Sequence, residues 1–141
     1  MTPNKEDYLK CIYEIGTEES KISNKEIANR MQVSPPAVTE MIKKLISEDL
    51  IIKDKVKGYL LTKTGKINVA ELYRKHRLIE VFLVDHLQYT CDLIHQEAEI
   101  LEHTVSEHFI NALDRLLNYP QTCPHAVSYT HLRAHETSQD L

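Results

Sequence analysis

The segment CDLIHQEAEILEH places His95, Glu99, Glu102 and His103 at spacings of four, three and one. Successive helical residues turn by about 100°, so these side chains share one narrow arc of a helix. Imidazole and carboxylate massed on one arc form a donor set for a divalent cation. Without a cation, neighbouring carboxylates repel and must splay into solvent. Ile94, Ala98, Leu101 and Val105 form an apolar stripe beside the arc, so this helix buries one face and keeps its donors next to it. A longer helix upstream, GKINVAELYRKHRLIEVFLVDHL, carries His76 and Glu80 one turn apart, and both can face a single ion. Thr64 is its expected cap, and Val69, Leu72, Leu83 and Leu87 are its expected buried positions, widened by Ile79 and Phe82. A third helix follows in SEHFINALDRLLNY.

The first half of the chain has a different pattern. In KEDYLKCIYEIGTE, Tyr8, Ile12 and Ile15 share a helical face that Leu9 and Tyr13 broaden. Ser23, with Glu26 three residues on, is a capping box for a short helix over NKEIANRM. Ser34 followed by Pro35 starts another, the serine as N-cap and the proline at a position that needs no donor. Val38, Met41, Ile42 and Leu45 give that helix its buried stripe. Two helices joined by a tight turn around Gln32 and Val33 make a helix-turn-helix. The alternating run LIIKDKVKGYLLT then predicts a basic hairpin turning at 55–58, which completes a winged helix.

Ser34, Pro36, Ala37, Thr39, Glu40, Lys43 and Lys44 occupy the outward face of the second helix and are the candidate DNA contacts. Small and polar groups near its start can approach base edges, and the lysines suit phosphates. Lys55 and Lys57 on the wing, with Lys53, add candidate backbone contacts. Glu40 opposes phosphate and is compatible with DNA only as an acceptor from a cytosine amino group. A protein-interaction module is the alternative use of the same fold.

Charge divides the chain in the same place. Residues 1–77 hold 15 Lys and Arg against 11 Asp and Glu, and residues 78–126 hold one against eight. A basic half joined to an acidic, His-bearing half suits one surface for an anion and another for cations. No apolar run reaches the roughly 20 residues of a membrane span, and the N-terminus lacks a secretory pattern, so a cytoplasmic protein with no membrane partner is expected. Cys11, Cys91 and Cys123 are odd in number and far apart, which argues against a disulfide framework. The sequence has no H-E-x-x-H motif and no recognisable Ser or Cys nucleophile. Glu99 meets Glu102 rather than His three residues on, unlike the pairs of di-iron bundles. The chain is therefore not expected to be an enzyme.

Taken in order, MTPNKEDYLKCIYEI, VSPPAVTEMIKKL, RKHRLIEVFL and IHQEAEILEH resemble the DtxR/MntR family of metal-dependent repressors, over essentially residues 1–126. The resemblance implies a homodimer whose winged helices bind a palindromic DNA operator when metal is bound. It implies dimerisation through the helices after the wing and control of metal-uptake genes. Asp7, Glu99, Glu102 and His103 match the family's DNA-regulating metal site, and His76 matches a neighbouring ligand. Glu80 and His95 match its ancillary site. TCPHA resembles the manganese-responsive branch, in which Cys123 and His125 complete a second site with Glu80 and a later carboxylate. Lys10 stands where some manganese regulators have another carboxylate. Hard oxygen donors with imidazole, and no thiolate in the first set, suit Mn²⁺, with Fe²⁺ as the alternative.

The expected fold is mainly α. A winged helix-turn-helix DNA-binding domain over residues 1–63 precedes a helical metal-binding and dimerisation domain over 64–126. Residues 127–137, VSYTHLRAHET, resemble one reading frame of a transposase-type sequencing adapter, so 127–141 are expected to be non-native read-through with native sequence lost after about residue 126. A metal-independent winged-helix regulator or interaction module is the alternative function.

Overall fold

The computed structural model describes residues 3–118. Cys123, His125 and the segment 127–141 lie outside the described residues. The chain divides into two compact units, Met1–Val69 and Ala70–Leu141.

In the first unit α1 (Pro3–Glu18) buries Tyr8, Leu9, Ile12 and Ile15 of the expected apolar face, with Cys11 beside them, while Tyr13 is half-buried. α2 (Asn24–Met31) starts where Ser23 Oγ accepts from the Glu26 amide at 3.1 Å. It ends at Gln32, whose φ of 56° turns the chain sharply into α3. α3 (Pro35–Ser47) is capped by Ser34, whose Oγ accepts from the Ala37 amide at 3.3 Å, and it buries Val38, Met41, Ile42 and Leu45.

The hairpin of β1 (Ile51–Asp54) and β2 (Gly58–Leu61) pairs Ile51 with Leu61, Ile52 with Leu60 and Lys53 with Tyr59. Asp54 Oδ2 accepts from the amides of Val56 and Lys57 at 3.0 and 2.7 Å, holding the turn. The wing is tied back to the loop before α2, because the Ile22 amide donates to Lys57 O at 2.8 Å. Gly58 lies at that crossing with φ +84°, and a Cβ there would sit 2.0 Å from the Ile22 carbonyl oxygen. Gly58→Ala therefore meets both an unfavourable backbone region and a fixed backbone atom. A loss of about 2–4 kcal/mol is expected in urea unfolding. An unchanged midpoint would mean that the wing moves away from this loop without cost.

α4 (Lys63–Asp85) begins in this first unit and continues as the first helix of the second. Its start differs from the sequence expectation. Thr62, not Thr64, is the cap: its Oγ accepts from the Gly65 amide at 3.0 Å, and its carbonyl accepts from Lys66. Val69, Leu72, Ile79 and Leu83 are buried as expected, but Leu87 lies beyond the helix end and is exposed.

In the second unit, α4 packs with α5 (Cys91–Glu102) and α6 (Glu107–Leu116). The core holds Leu78, Ile79, Leu83, Ala98, Ile110 and Leu113, ringed by Phe82, Tyr89, Leu101, Val105 and Leu117. Ser106 caps α6 by accepting from the Phe109 amide at 3.0 Å. Arg74 on α4 binds Asn111 and the buried Asp114 on α6 at 2.8 and 2.9 Å. A paired, hydrogen-bonded carboxylate is one that a helix interface tolerates in its interior. No described helix is long and apolar enough to cross a membrane.

Candidate metal centre and nucleic-acid interface

α4 and α5 hold the donor side chains. His76 and Glu80, one turn apart on α4, both point inward, and Glu80 is fully enclosed at 0% exposure. Opposite them on α5, Ile94, Ala98 and Glu102 are its buried residues, at spacings of four. Glu102 thus occupies the buried stripe itself and is only 1% exposed. It extends to His76, whose Nδ1 lies 2.5 Å from Glu102 Oε1, while Nε2 of the same ring lies 2.9 Å from Glu80 Oε2.

The chain of alternating groups continues on both sides. His95 Nδ1 lies 3.6 Å from Glu80 Oε2, and His95 Nε2 lies 3.0 Å from Glu99 Oε1. His103, the residue that closes α5, brings Nε2 to 3.8 Å from Glu102 Oε2. The His76 and His95 rings meet edge to face, with centroids 4.8 Å apart. The centre therefore grades from the enclosed pair Glu80 and Glu102 to His95 and Glu99, whose side chains are more than half exposed.

His76, Glu80 and His95 each offer one donor atom within 4.8 Å of the others, the one such group of three among the described residues. The structure does not gather Glu99, Glu102 and His103 in the same way, because Glu99 turns to His95 and Glu102 to His76. Asp7 is an exposed residue of α1.

Two enclosed carboxylates require positive charge nearby, since an unpaired buried anion is costly. His76 supplies it. Burial pulls its imidazole down, but the hydrogen bonds it makes to Glu102 and Glu80, and their charge, outweigh burial and push it up to about 9. The folded-state value is thus above the unfolded value near 6.5, so its contribution to stability is fully present below about pH 6.5 and is lost as pH rises through about 9. Metal-free protein is expected to unfold at lower urea concentration at pH 9.5 than at pH 6.5, with the difference reduced in His76→Gln. Equal sensitivity in both proteins would place the loss elsewhere. The donors fit a divalent ion: imidazoles flank both enclosed carboxylates, His76 and His95 at Glu80 and His76 and His103 at Glu102, and a bound cation would take over the charge that His76 supplies as an imidazolium.

The candidate nucleic-acid face lies in the first unit. Ser34, Pro36, Ala37, Thr39, Glu40, Lys43 and Lys44 are all exposed on α3, opposite its buried stripe. Thr39 Oγ1 donates to Pro35 O at 3.2 Å, which leaves the hydroxyl's acceptor side for a partner. Lys43 Nζ is 3.9 Å from Glu40, so the lysine partly offsets that carboxylate. Lys55 and Lys57 are exposed on the wing.

Sequence spacing missed the His76–Glu102 contact that joins the two sets of donors. Its only trace was the i, i+4, i+8 series Ile94, Ala98, Glu102, in which a carboxylate takes an apolar position. The link from Arg74 to Asp114 was also unforeseen.

A helix-turn-helix with a wing, followed by a helical unit enclosing imidazole and carboxylate, is the arrangement of a DNA-binding domain with a candidate metal-binding domain. Residues 1–59 match the family model described as the iron-dependent repressor N-terminal DNA-binding domain. Residues 62–128 match that of the iron-dependent repressor metal-binding and dimerisation domain. The chain belongs to this iron-dependent repressor family, which consists of transcriptional repressors rather than enzymes. It is 33% identical to the HTH-type transcriptional regulator MntR of Bacillus subtilis (strain 168) over 122 residues, covering 84% of this chain and 82% of that one. Among solved structures, ScaR with bound Zn²⁺ is 67% identical with a TM-score of 0.85, covering 89% of this chain. The manganese regulator SloR is 66% identical with a TM-score of 0.76, again over 89% of this chain. The chain spans 59% of the length of that ScaR chain and 58% of SloR.

Proposed function

We propose that this chain is a metal-dependent transcriptional repressor. It acts as a homodimer on a palindromic double-stranded operator, with Mn²⁺ as the activating ion and Fe²⁺ as the alternative, and controls metal-uptake genes in the cytoplasm. The observation that carries the reading is the enclosed Glu80–His76–Glu102 network, extended by His95, in a chain that also carries a winged helix with an exposed basic face. The solved manganese regulator SloR, 66% identical to this chain, supports Mn²⁺.

In this reading residues 1–63 bind DNA and residues 64–126 bind metal and dimerise. His76, Glu80 and His95 hold one ion. Glu99, Glu102 and His103 contribute to a second, with Asp7 as its ligand from the DNA-binding half, and Cys123 and His125 add donors to the site of Glu80. When bound, a divalent ion supplies positive charge and fixes its ligands. The residues do the rest: Glu102 ties the two donor sets through His76, and Asp7 carries the effect of ligation to α1. Ser34, Pro36, Ala37, Thr39 and Glu40 approach base edges, and Lys43, Lys44, Lys55 and Lys57 neutralise phosphates.

The test is fluorescence anisotropy at fixed near-physiological salt. The duplexes are one from upstream of a neighbouring metal-transport gene and one unrelated. Sequence-selective binding with Mn²⁺ and its loss with a chelator are expected. Undiminished binding in the chelator would instead indicate a metal-independent winged-helix regulator.

A further inference from the structure

We propose that the groove between the wing and the start of α2 seats a phosphate of the DNA backbone, through Lys21 and Lys53 with Lys55 at its rim. The site lies off the base-reading face of α3. It rests on the DNA-binding reading above and adds Lys21, a residue of the α1–α2 loop, to the interface.

The groove has a volume of about 560 Å³ and is lined by Lys21, Ser23, Asn24, Lys53, Lys55 and Tyr59, with Asp54 also on its wall. Its three lysines face one carboxylate, and the Asp54 Oδ2 atom is engaged by the amides of Val56 and Lys57. Lys21, Lys53 and Lys55 are exposed and make no ion pair among the described residues. A concave wall with a surplus of positive charge focuses its field outward and favours an anion.

The fixed position of the groove distinguishes these lysines from solvated surface charge. The amide of Ile22, next in the chain to Lys21, donates to Lys57 O, and Gly58 packs against the Ile22 carbonyl. Tyr59 donates its hydroxyl to Asn24 Oδ1 at 2.5 Å, clasping β2 to the first residue of α2. Tyr59 is also the cross-strand partner of Lys53, so the buried ring supports the stem of that lysine.

A second groove adjoins it, lined by Thr39, Ile42, Lys43, Ile46, Ser47 and Lys53. Lys53, Asn24 and Tyr59 border both. The positive track therefore runs from the exposed face of α3, past Lys53, to Lys21. A duplex backbone offers successive phosphates to such a track, and a lone small anion does not need its length.

The test uses the full chain with Mn²⁺ and two labelled synthetic duplexes, the upstream duplex above and a scrambled sequence of equal length. Affinity is followed from 50 to 300 mM NaCl. The double variant Lys21→Ala/Lys53→Ala is expected to bind both duplexes roughly tenfold more weakly, by the same factor, and to lower the salt slope by about 0.9 for each phosphate that is no longer neutralised. Lys21→Arg/Lys53→Arg is expected to keep the wild-type slope. Wild-type slope and affinity in the alanine variant overturn the inference and leave the proposed function standing. Weaker binding to the upstream duplex alone also overturns it, because a phosphate seat does not discriminate sequence. Failure of the unaltered chain to bind either duplex overturns both readings.

Discussion

Glu102→Gln is expected to lower Mn²⁺ affinity by at least ~100-fold and to abolish the metal response of DNA binding. Even residues that only orient a ligand contribute about 10- to 100-fold to metal affinity, and Glu102 is proposed as a ligand that also holds His76. Glutamine is the informative replacement. It keeps the volume at a position 1% exposed and keeps a carbonyl acceptor for His76 Nδ1, 2.5 Å away, while removing the charge. Glu102→Ala would leave a buried imidazolium short of a partner and open a cavity. Breaking a buried pair in that way costs about 3–5 kcal/mol, which would confuse loss of fold with loss of metal. Calorimetric titration with Mn²⁺, with circular dichroism to verify the fold, separates the two. A folded Glu102→Gln protein that titrates like wild type would remove Glu102 from the ligand set.

The same residue shows where sequence reading succeeded and where it stopped. The winged helix was legible because its signals are local. Ser23 with Glu26, Ser34 with Pro35, and the alternation through 50–62 each fix an element from within a few residues. His76 with Glu80, and His95 with Glu99, were legible for the same reason, since one helical turn sets each pair. Contacts between helices are not encoded in any one window. Glu102 reaches His76 across 26 residues of sequence, and only the packing of α5 on α4 turns a carboxylate in an apolar stripe into a buried partner. The cap of α4 went to Thr62 instead of Thr64 because Asp49 O and Leu50 O also anchor Thr62, bonds that depend on where the wing begins. Extending the helical period past the last turn of α4 places Leu87 in the core, but the helix ends at Asp85 and leaves it exposed.

Chelating Mn²⁺ is expected to weaken binding to the specific duplex by about 5- to 150-fold, the range of a coupling free energy of 1–3 kcal/mol between two sites. Reciprocity makes the claim stricter than a simple loss of binding. If metal tightens DNA by a given factor, saturating duplex must tighten Mn²⁺ by the same factor, and both can be titrated. Asp7→Ala then tests where the coupling runs. Asp7 is an exposed residue of α1, so its removal is expected to change stability by no more than about 0.5 kcal/mol. His76, Glu80 and His95 retain their donors in this variant, so Mn²⁺ still binds. The expected result is measurable metal binding with a coupling factor near one in both directions. A variant that loses metal affinity yet keeps its full coupling factor would make Asp7 a contributor to binding only. The switch would then have to run through other residues that link the donors of α4 and α5 to the winged helix.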